Sequence, residues 1–314
     1  MNTNKLIQML RVAKKYYDYH MDQKTIAEQE GISNSTVSRM IQKAIDLGYV
    51  KISIDYPFLS NEELSKELQK AYGLKEVFLV PVVVDDPKGI MIDTCKAAAA
   101  ALPKYLESGT VIGTAWGRTM KCLASYIPDL KVHDIKIVQL NGTCNKTNMP
   151  AGAEAMIEAM ARQGRGNGYI IPAPIMVDNP ETARILKEDS VVKEILEMTK
   201  KCDTAVVSIG AVSRECMMYQ AGYLSEESVE RLLDSGAVGD ICSNFYDKDG
   251  NMADEEMDQR RIGISLTDLK NIPCKIGVVS GVNKASALHG ALKGGYIDVL
   301  YADEALGKAL LAYL

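Results

Sequence analysis

No apolar run in this chain of 314 residues is long enough to cross a bilayer; stretches such as AAAAALPKYL are broken by a proline. The first twenty residues, MNTNKLIQMLRVAKKYYDYH, have neither the apolar core nor the small-residue cleavage site of a secretion signal. Histidine is scarce. His20, His133 and His289 are the only three, and no H-x-x-x-H pairing occurs, which argues against a metal centre. The seven cysteines are odd in number and no two lie within three residues of each other. That spacing argues against a disulfide framework or a zinc site and for the reduced thiols of a cytoplasmic protein. Internal repeats and low-complexity tracts are missing too, and no metal or cofactor is expected. What remains is ordinary for a globular protein, 47% hydrophobic and 25% charged. The length suits one large domain with a small one.

The net charge of −5 is unevenly spread. Residues 1–51 hold eight lysines and arginines against five acidic residues, a balance of +3, which leaves −8 for the rest. A basic N-terminal module on an acidic body points to a polyanion met by the first part alone. The pattern there is helical. Leu6, Leu10, Ala13 and Tyr17 mark one helix, and Asp22 stands as an N-cap before QKTIAEQE. Gly31 supplies a left-handed turn, and Ser33 or Asn34 caps a further helix with an apolar stripe of Val37, Met40, Ile41, Ala44 and Leu47. The order predicts a helix-turn-helix, and GYVKISIDY after it alternates like the strand of a small wing. Its polar face carries residue types that reach base edges and phosphates in a major groove. With Thr25 from the preceding helix, the candidate DNA contacts are Ser33, Asn34, Ser35, Thr36, Ser38, Arg39, Gln42 and Lys43.

From SNEELSKELQKAYGL onward helices alternate with apolar strands. The strands are expected at VFLVPVVV, TVIGT, IKIVQL, YIIPAP, TAVVSIG, CKIGVVSG and IDVLYAD, with a capping box at SNEE and one long helix over TARILKEDSVVKEILEMTKKC. Strands buried on both faces and separated by helices predict a doubly wound parallel sheet. Residues 1–55 are thus expected to form the DNA-binding domain and 56–314 an α/β ligand-binding domain.

Ligands of such sheets sit at the carboxyl ends of the strands. There the chain offers A-W-G-R-T at 115–119, N-G-T-C-N at 141–145, A-V-S at 211–213 and V-N-K-A at 282–285, and Asp240 lies within a further polar loop. Arg118, Thr119 and Lys284, each beside a helix start, would make a phosphate pocket, with Asn141 and Asp240 reading sugar hydroxyls. Taken singly, Gly113 and Gly117 also suit any tight strand-to-helix turn, and Arg118 and Lys284 any solvated helix start.

Together TIAEQEGISNSTVSRMIQKAIDLGYVKI, VIGTAWGRTM, IVQLNGT, AVGDICSNFYDKDGN, RRIGISLTDL and VVSGVNKASALHGALKGGYIDVLYADEALGKALL resemble the SorC family of bacterial transcription regulators, which is grouped with the deoxyribonucleoside regulators. The resemblance covers nearly the whole chain. It implies an effector fold akin to ribose-5-phosphate isomerase and glucosamine-6-phosphate deaminase. It also implies operator DNA as partner, a sugar, polyol or sugar-phosphate effector, no membrane partner, and homodimers that form homotetramers, which makes 56–314 the oligomerisation domain as well. Carried onto this chain, it implies phosphate contacts from Gly117, Arg118, Thr119 and Lys284 and sugar contacts from Asn141, Gly142 and Asp240. Arg118 replaces the small hydroxyl residue of many members. Asn141 stands where some carry a basic residue, and an amide cannot form an imine with an aldehyde. The chain is thus expected to be a sugar-gated repressor or activator of a carbohydrate operon and not an enzyme. A sugar-phosphate isomerase or deaminase with an appended DNA-binding module is the rival, with Asp240 as the base.

Overall fold

The computed structural model describes residues 3–50, 60–143 and 153–314, and its contacts divide the chain into Met1–Pro57 and Phe58–Leu314. In the first unit three helices follow the expected pattern: α1 (Thr3–Tyr17), α2 (Gln23–Glu30) and α3 (Asn34–Asp46). Asp22 caps α2 by accepting the Thr25 amide at 3.0 Å, and Gly31 ends it at φ 64°. Of the two candidate caps for α3 the chain uses Ser33, whose Oγ accepts the Thr36 amide at 3.2 Å. Met9, Val12, Ile26, Val37, Ile41 and Ala44 close a small core between the helices. The expected wing strand covers 48–56; residues 48–50 are turn and bend, and 51–56 lie outside the described residues.

Such a small core leans on its polar clamp. Glu30 at the end of α2 takes both Arg11 and Lys15 from α1, at 2.6 and 2.7 Å, and its side chain is only 4% exposed. Hydrogen bonds from Arg11 pull this carboxyl down to about 2, against the cost of burial. A depressed carboxyl stabilises above its ordinary value near ~4.3 and loses that contribution as pH falls toward 2. Glu30→Gln is expected to cost this unit about 1.5–3 kcal/mol at pH 7. Hydrogen exchange of the α1 and α2 amides measures it, and the variant should lose less protection than wild type between pH 5 and 3, the remainder coming from the Asp22 cap, whose carboxyl Thr25 also holds low.

The second unit starts with α4 (Glu62–Tyr72), β1 (Glu76–Val80), α5 (Pro87–Ala101), β2 (Val111–Thr114), α6 (Arg118–Ala124), β3 (Lys136–Gln139), α7 (Ala153–Gln163) and β4 (Asn167–Tyr169). Next come α8 (Pro180–Glu188), α9 (Ser190–Thr199), β5 (Thr204–Val207), β6 (Ile209–Ala211), α10 (Met217–Gln220), α11 (Glu226–Asp234), β7 (Ala237–Ile241) and β8 (Asn244–Asp247). The chain closes with α12 (Glu255–Arg260), α13 (Leu266–Lys270), β9 (Cys274–Val279), α14 (Ala285–Gly294), β10 (Val299–Asp303) and α15 (Glu304–Leu310).

Seven strands pair in parallel in the order β1-β10-β9-β5-β2-β3-β4. Successive strand residues feed opposite cores. Leu79, Val207, Val279 and Leu300 pack in one with Leu68 of α4 and Leu288 of α14, while Ile112, Val206, Ile276 and Tyr301 pack in the other with Cys95 of α5 and Met160 of α7. A sheet covered on both faces explains why its strands read as continuous apolar runs.

Several local expectations fail for identifiable reasons. Asn61, not Ser60, caps α4 by accepting the Leu64 amide, while the Ser60 hydroxyl takes the Leu79 amide. β1 stops before Pro81, which has no N–H to give a ladder. The expected strand at 169–174 contributes only Tyr169 to the sheet; Pro172 has no N–H to give a ladder, Ile171 and Ala173 serve a loop core, and Pro174 keeps only an isolated parallel bridge to Thr143. The long helix breaks at Asp189, whose carboxylate accepts the Val191 and Val192 amides and restarts the chain as α9. Finally, β6, β7 and β8 form a separate antiparallel sheet that the period of the sequence does not reveal.

Candidate effector site

From β2 the parallel sheet grows outward through β3 and β4, and from β5 it grows the opposite way through β9 and β10. This reversal opens a crevice between the carboxyl ends of β2 and β5, where open parallel sheets hold ligands. A cavity of about 120 Å³ occupies it. One water needs roughly 10–15 Å³, so the space admits a small metabolite.

Six of the seven expected effector residues line this cavity: Gly117, Arg118, Thr119, Asn141, Asp240 and Lys284. Gly142 does not. A Cβ there would stand 2.6 Å from the Pro174 carbonyl oxygen and 2.7 Å from the Ile175 Cα, so this glycine lets two backbones touch. Asp240 lies not in a loop but in β7, opposite Gly210 of β6. A Cβ on Gly210 would collide with the Asp240 carboxylate, so the missing side chain makes room for the carboxylate.

The charges here are set by burial. Desolvation raises the Asp240 carboxyl to about 6, although the Ser243 amide and the Lys284 ammonium both favour its ionised form. Desolvation, then the nearby Arg118 guanidinium, lowers Lys284 to about 8, with Asp240 acting against them. At pH 7 the two are therefore a carboxylate and an ammonium. Arg118 is exposed and makes no hydrogen bond or ion pair among the described residues. Two cations thus face a half-buried carboxylate, with the exposed Glu215 also in the lining.

Two polar atoms in this lining have no partner: Asn141 Oδ1 and Ser208 Oγ are buried and unbonded. Leaving such an atom unpaired costs about 1–3 kcal/mol. Asn141 itself is wholly buried and held in place, because its Nδ2 donates to Ser243 Oγ at 2.9 Å.

Ser243 belongs to a feature that sequence reasoning missed. Cys242 and Ser243 form the two-residue link of the β7–β8 hairpin with φ of 50° and 65°, a turn usually given to Asn-Gly. Asn244 compensates by donating to the Ile241, Cys242 and Ile264 carbonyls. The strained tip brings Ser243 Oγ between Asn141 and the indole N–H of Trp116, the latter at 3.3 Å. Trp116, Ser208, Cys216 and Ser243 were all overlooked as lining residues. The one available signal was C-S-N, a turn with no glycine between apolar residues. Ser243→Gly removes a left-handed serine worth ~1–2 kcal/mol of strain and also removes the anchor of Asn141. Its expected outcome is a melting temperature within a few degrees of wild type but a roughly tenfold loss of effector affinity. Thermal melts paired with effector titrations separate the two effects.

Residues 56–312 match the Sugar-bind family of sugar-binding domains. The deoxyribonucleoside regulator of Bacillus subtilis strain 168 is 33% identical over 302 residues, 96% of this chain and 96% of its own. The sorbitol operon regulator of Klebsiella pneumoniae is 28% identical over 99% of both chains. The crystal structure of that full-length regulator, SorC, matches with a TM-score of 0.76 at 27% identity, covering 99% of this chain and 100% of that one. A DeoR family transcriptional regulator from Listeria monocytogenes matches 79% of this chain and 98% of its own, with a TM-score of 0.73 at 27% identity. A sugar-binding family that takes in nearly all of the sheet unit, together with regulators alike from end to end, identifies the chain as a member of the SorC family of sugar-binding transcriptional regulators.

Proposed function

We propose that this regulator controls a carbohydrate-utilisation operon from the cytoplasm, as a homodimer or homotetramer on operator DNA. Residues 1–55 bind DNA as a winged helix-turn-helix with α3 in the major groove, and residues 56–314 sense the effector. That effector is a sugar, polyol or sugar phosphate, seated against Asn141, Asp240 and Ser208 with any anionic group toward Arg118 and Lys284. The observation that carries this reading is the pair of orphaned buried atoms, Asn141 Oδ1 and Ser208 Oγ, in one cavity with two uncommitted cations. Hydroxyl acceptors and donors beside cations are what a polyol or sugar phosphate offers partners to.

The effector fold is read as akin to ribose-5-phosphate isomerase, and the site as a sensor without turnover. A carboxyl near 6 is suited to a general base, but named regulators, not enzymes, are the full-length relatives. Trp116 is the single tryptophan of the chain and lines the cavity, so its emission reports occupancy. Titration of the full chain with sugars, polyols and their phosphates is expected to shift that emission saturably for one chemical group. Silence across all three classes at millimolar concentration overturns the effector assignment, and conversion of the bound compound overturns the sensor reading.

A further inference from the structure

Behind the wall of the first cavity lies a second cleft, of about 270 Å³, formed by α8, α9, α13 and the strap Arg261–Ser265. Its charged groups are unequally committed. Arg261 is 3% exposed and spends its guanidinium on Asp258 at 2.9 Å and the Ile264 carbonyl at 2.7 Å. Lys200 pairs with Glu197 at 2.7 Å, and Asp268 is taken by the Ser265 hydroxyl at 2.8 Å. Lys187 and Lys193 are left over: neither side chain makes a hydrogen bond or salt bridge among the described residues.

Lys187 sits half-buried, where losing water weakens its hold on a proton and the neighbouring Arg261 weakens it further, while Asp258, already held by Arg261, acts the other way. An ammonium kept out of water beside a buried guanidinium is a charge seeking a counter-ion. Lysines act on phosphate as point charges that need no fixed fork geometry.

We propose that this cleft is a second binding site, separate from the sugar cavity, that takes the phosphate group of a small metabolite between Lys187 and Lys193. Its position gives binding there a route to the first site. Gly263 of the strap pairs with Asn141, and a Cβ on Gly263 would stand 2.8 Å from the Asn141 Cα. On either side the Ile264 amide donates to the Leu140 carbonyl at 2.7 Å and the Gly142 amide to the Ile262 carbonyl at 2.8 Å. The strap that walls the cleft therefore also fixes the backbone of the asparagine that faces the effector.

Equilibrium dialysis of the full chain against radiolabelled inorganic phosphate, at constant ionic strength set with chloride, tests the proposal by counting. Wild type is expected to bind two phosphates per chain. The Lys187→Gln/Lys193→Gln double variant is expected to bind one, with an unchanged melting temperature, since neither lysine holds a structural partner. Lys284→Ala is expected to keep the second site and also bind one. A wild-type count of one that vanishes in Lys284→Ala overturns the proposal, as does a count of two that survives in the double lysine variant. A count that falls in the double variant but stays at two in Lys284→Ala upholds the second site and overturns only the placement of phosphate in the first.

Discussion

Replacing Lys284 by alanine is expected to weaken an anionic effector roughly 10–150-fold while leaving operator affinity unchanged. The range is that of one hydrogen bond to a charged group, ~1.5–3 kcal/mol. Lys284 can supply it because the half-buried ammonium has already given up part of its water, so an incoming anion displaces less solvent from it than from an exposed lysine. The same burial sets the pH dependence. A phosphate gains its second charge near pH ~6, and Lys284 loses its proton near 8. Affinity for a sugar phosphate should therefore climb through 6, hold between the two values, and fall above 8. In Lys284→Ala the upper limb should disappear and the lower one persist. Asp240 charges over the lower range too, and an added carboxylate opposes an anion, so the climb through 6 should be shallower than the charge on phosphate alone gives. Trp116 emission at a series of pH values reads the whole profile. A variant that keeps both wild-type affinity and the fall above pH 8 would place the anion elsewhere.

Much of this was legible in the chain because it is local. Asp22, Gly31 and the apolar stripe through Val37 and Ile41 act within a few residues of themselves, and the structure uses each as its type suggests. The parallel sheet was legible for a related reason: a strand buried on both faces announces itself by its own composition. Strand ends then locate a crevice, and residues 117–119, 141 and 284 follow from it. What escaped notice depends on pairings distant in sequence. Where the Asn141 side chain and backbone are held is set by Ser243, 102 residues away, and by the strap at Gly263. Gly142 looked like part of the same loop, yet its neighbours are Pro174 and Ile175. The β7–β8 hairpin hid because its turn uses cysteine and serine at positive φ, a strained choice kept where side chains are needed inside a site.

Arg39→Ala should be the other variant with a large effect, and it should act on DNA alone. Residues Asn34, Ser35, Ser38, Arg39, Gln42 and Lys43 form an exposed polar face on α3 opposite buried Val37, Ile41 and Ala44. The hydroxyls of Ser33, Thr36 and Thr25 are engaged within the unit: Ser33 caps α3 and bonds Thr36 Oγ1, and Thr25 donates to Asp22. Their removal would weaken binding by loosening helix ends, at about 0.5–2 kcal/mol of stability for a cap. Arg39 differs. Its Nε donates to the Ser35 carbonyl at 3.2 Å and its Nη2 reaches Thr36 Oγ1 at 3.4 Å, which holds the guanidinium along the helix with three N–H donors still unspent. A planar donor held in this way suits guanine or a phosphate. Loss of a base contact is expected to cost about 1–3 kcal/mol per half-site and to relax specificity at one operator position. Loss of a phosphate contact weakens all sequences alike and lowers the salt slope by roughly one unit per contact. Anisotropy titrations on operator and scrambled DNA at several salt concentrations distinguish the two, and an unchanged melting temperature excludes unfolding as the cause. Operator affinity equal to wild type at every salt concentration would take α3 off the DNA.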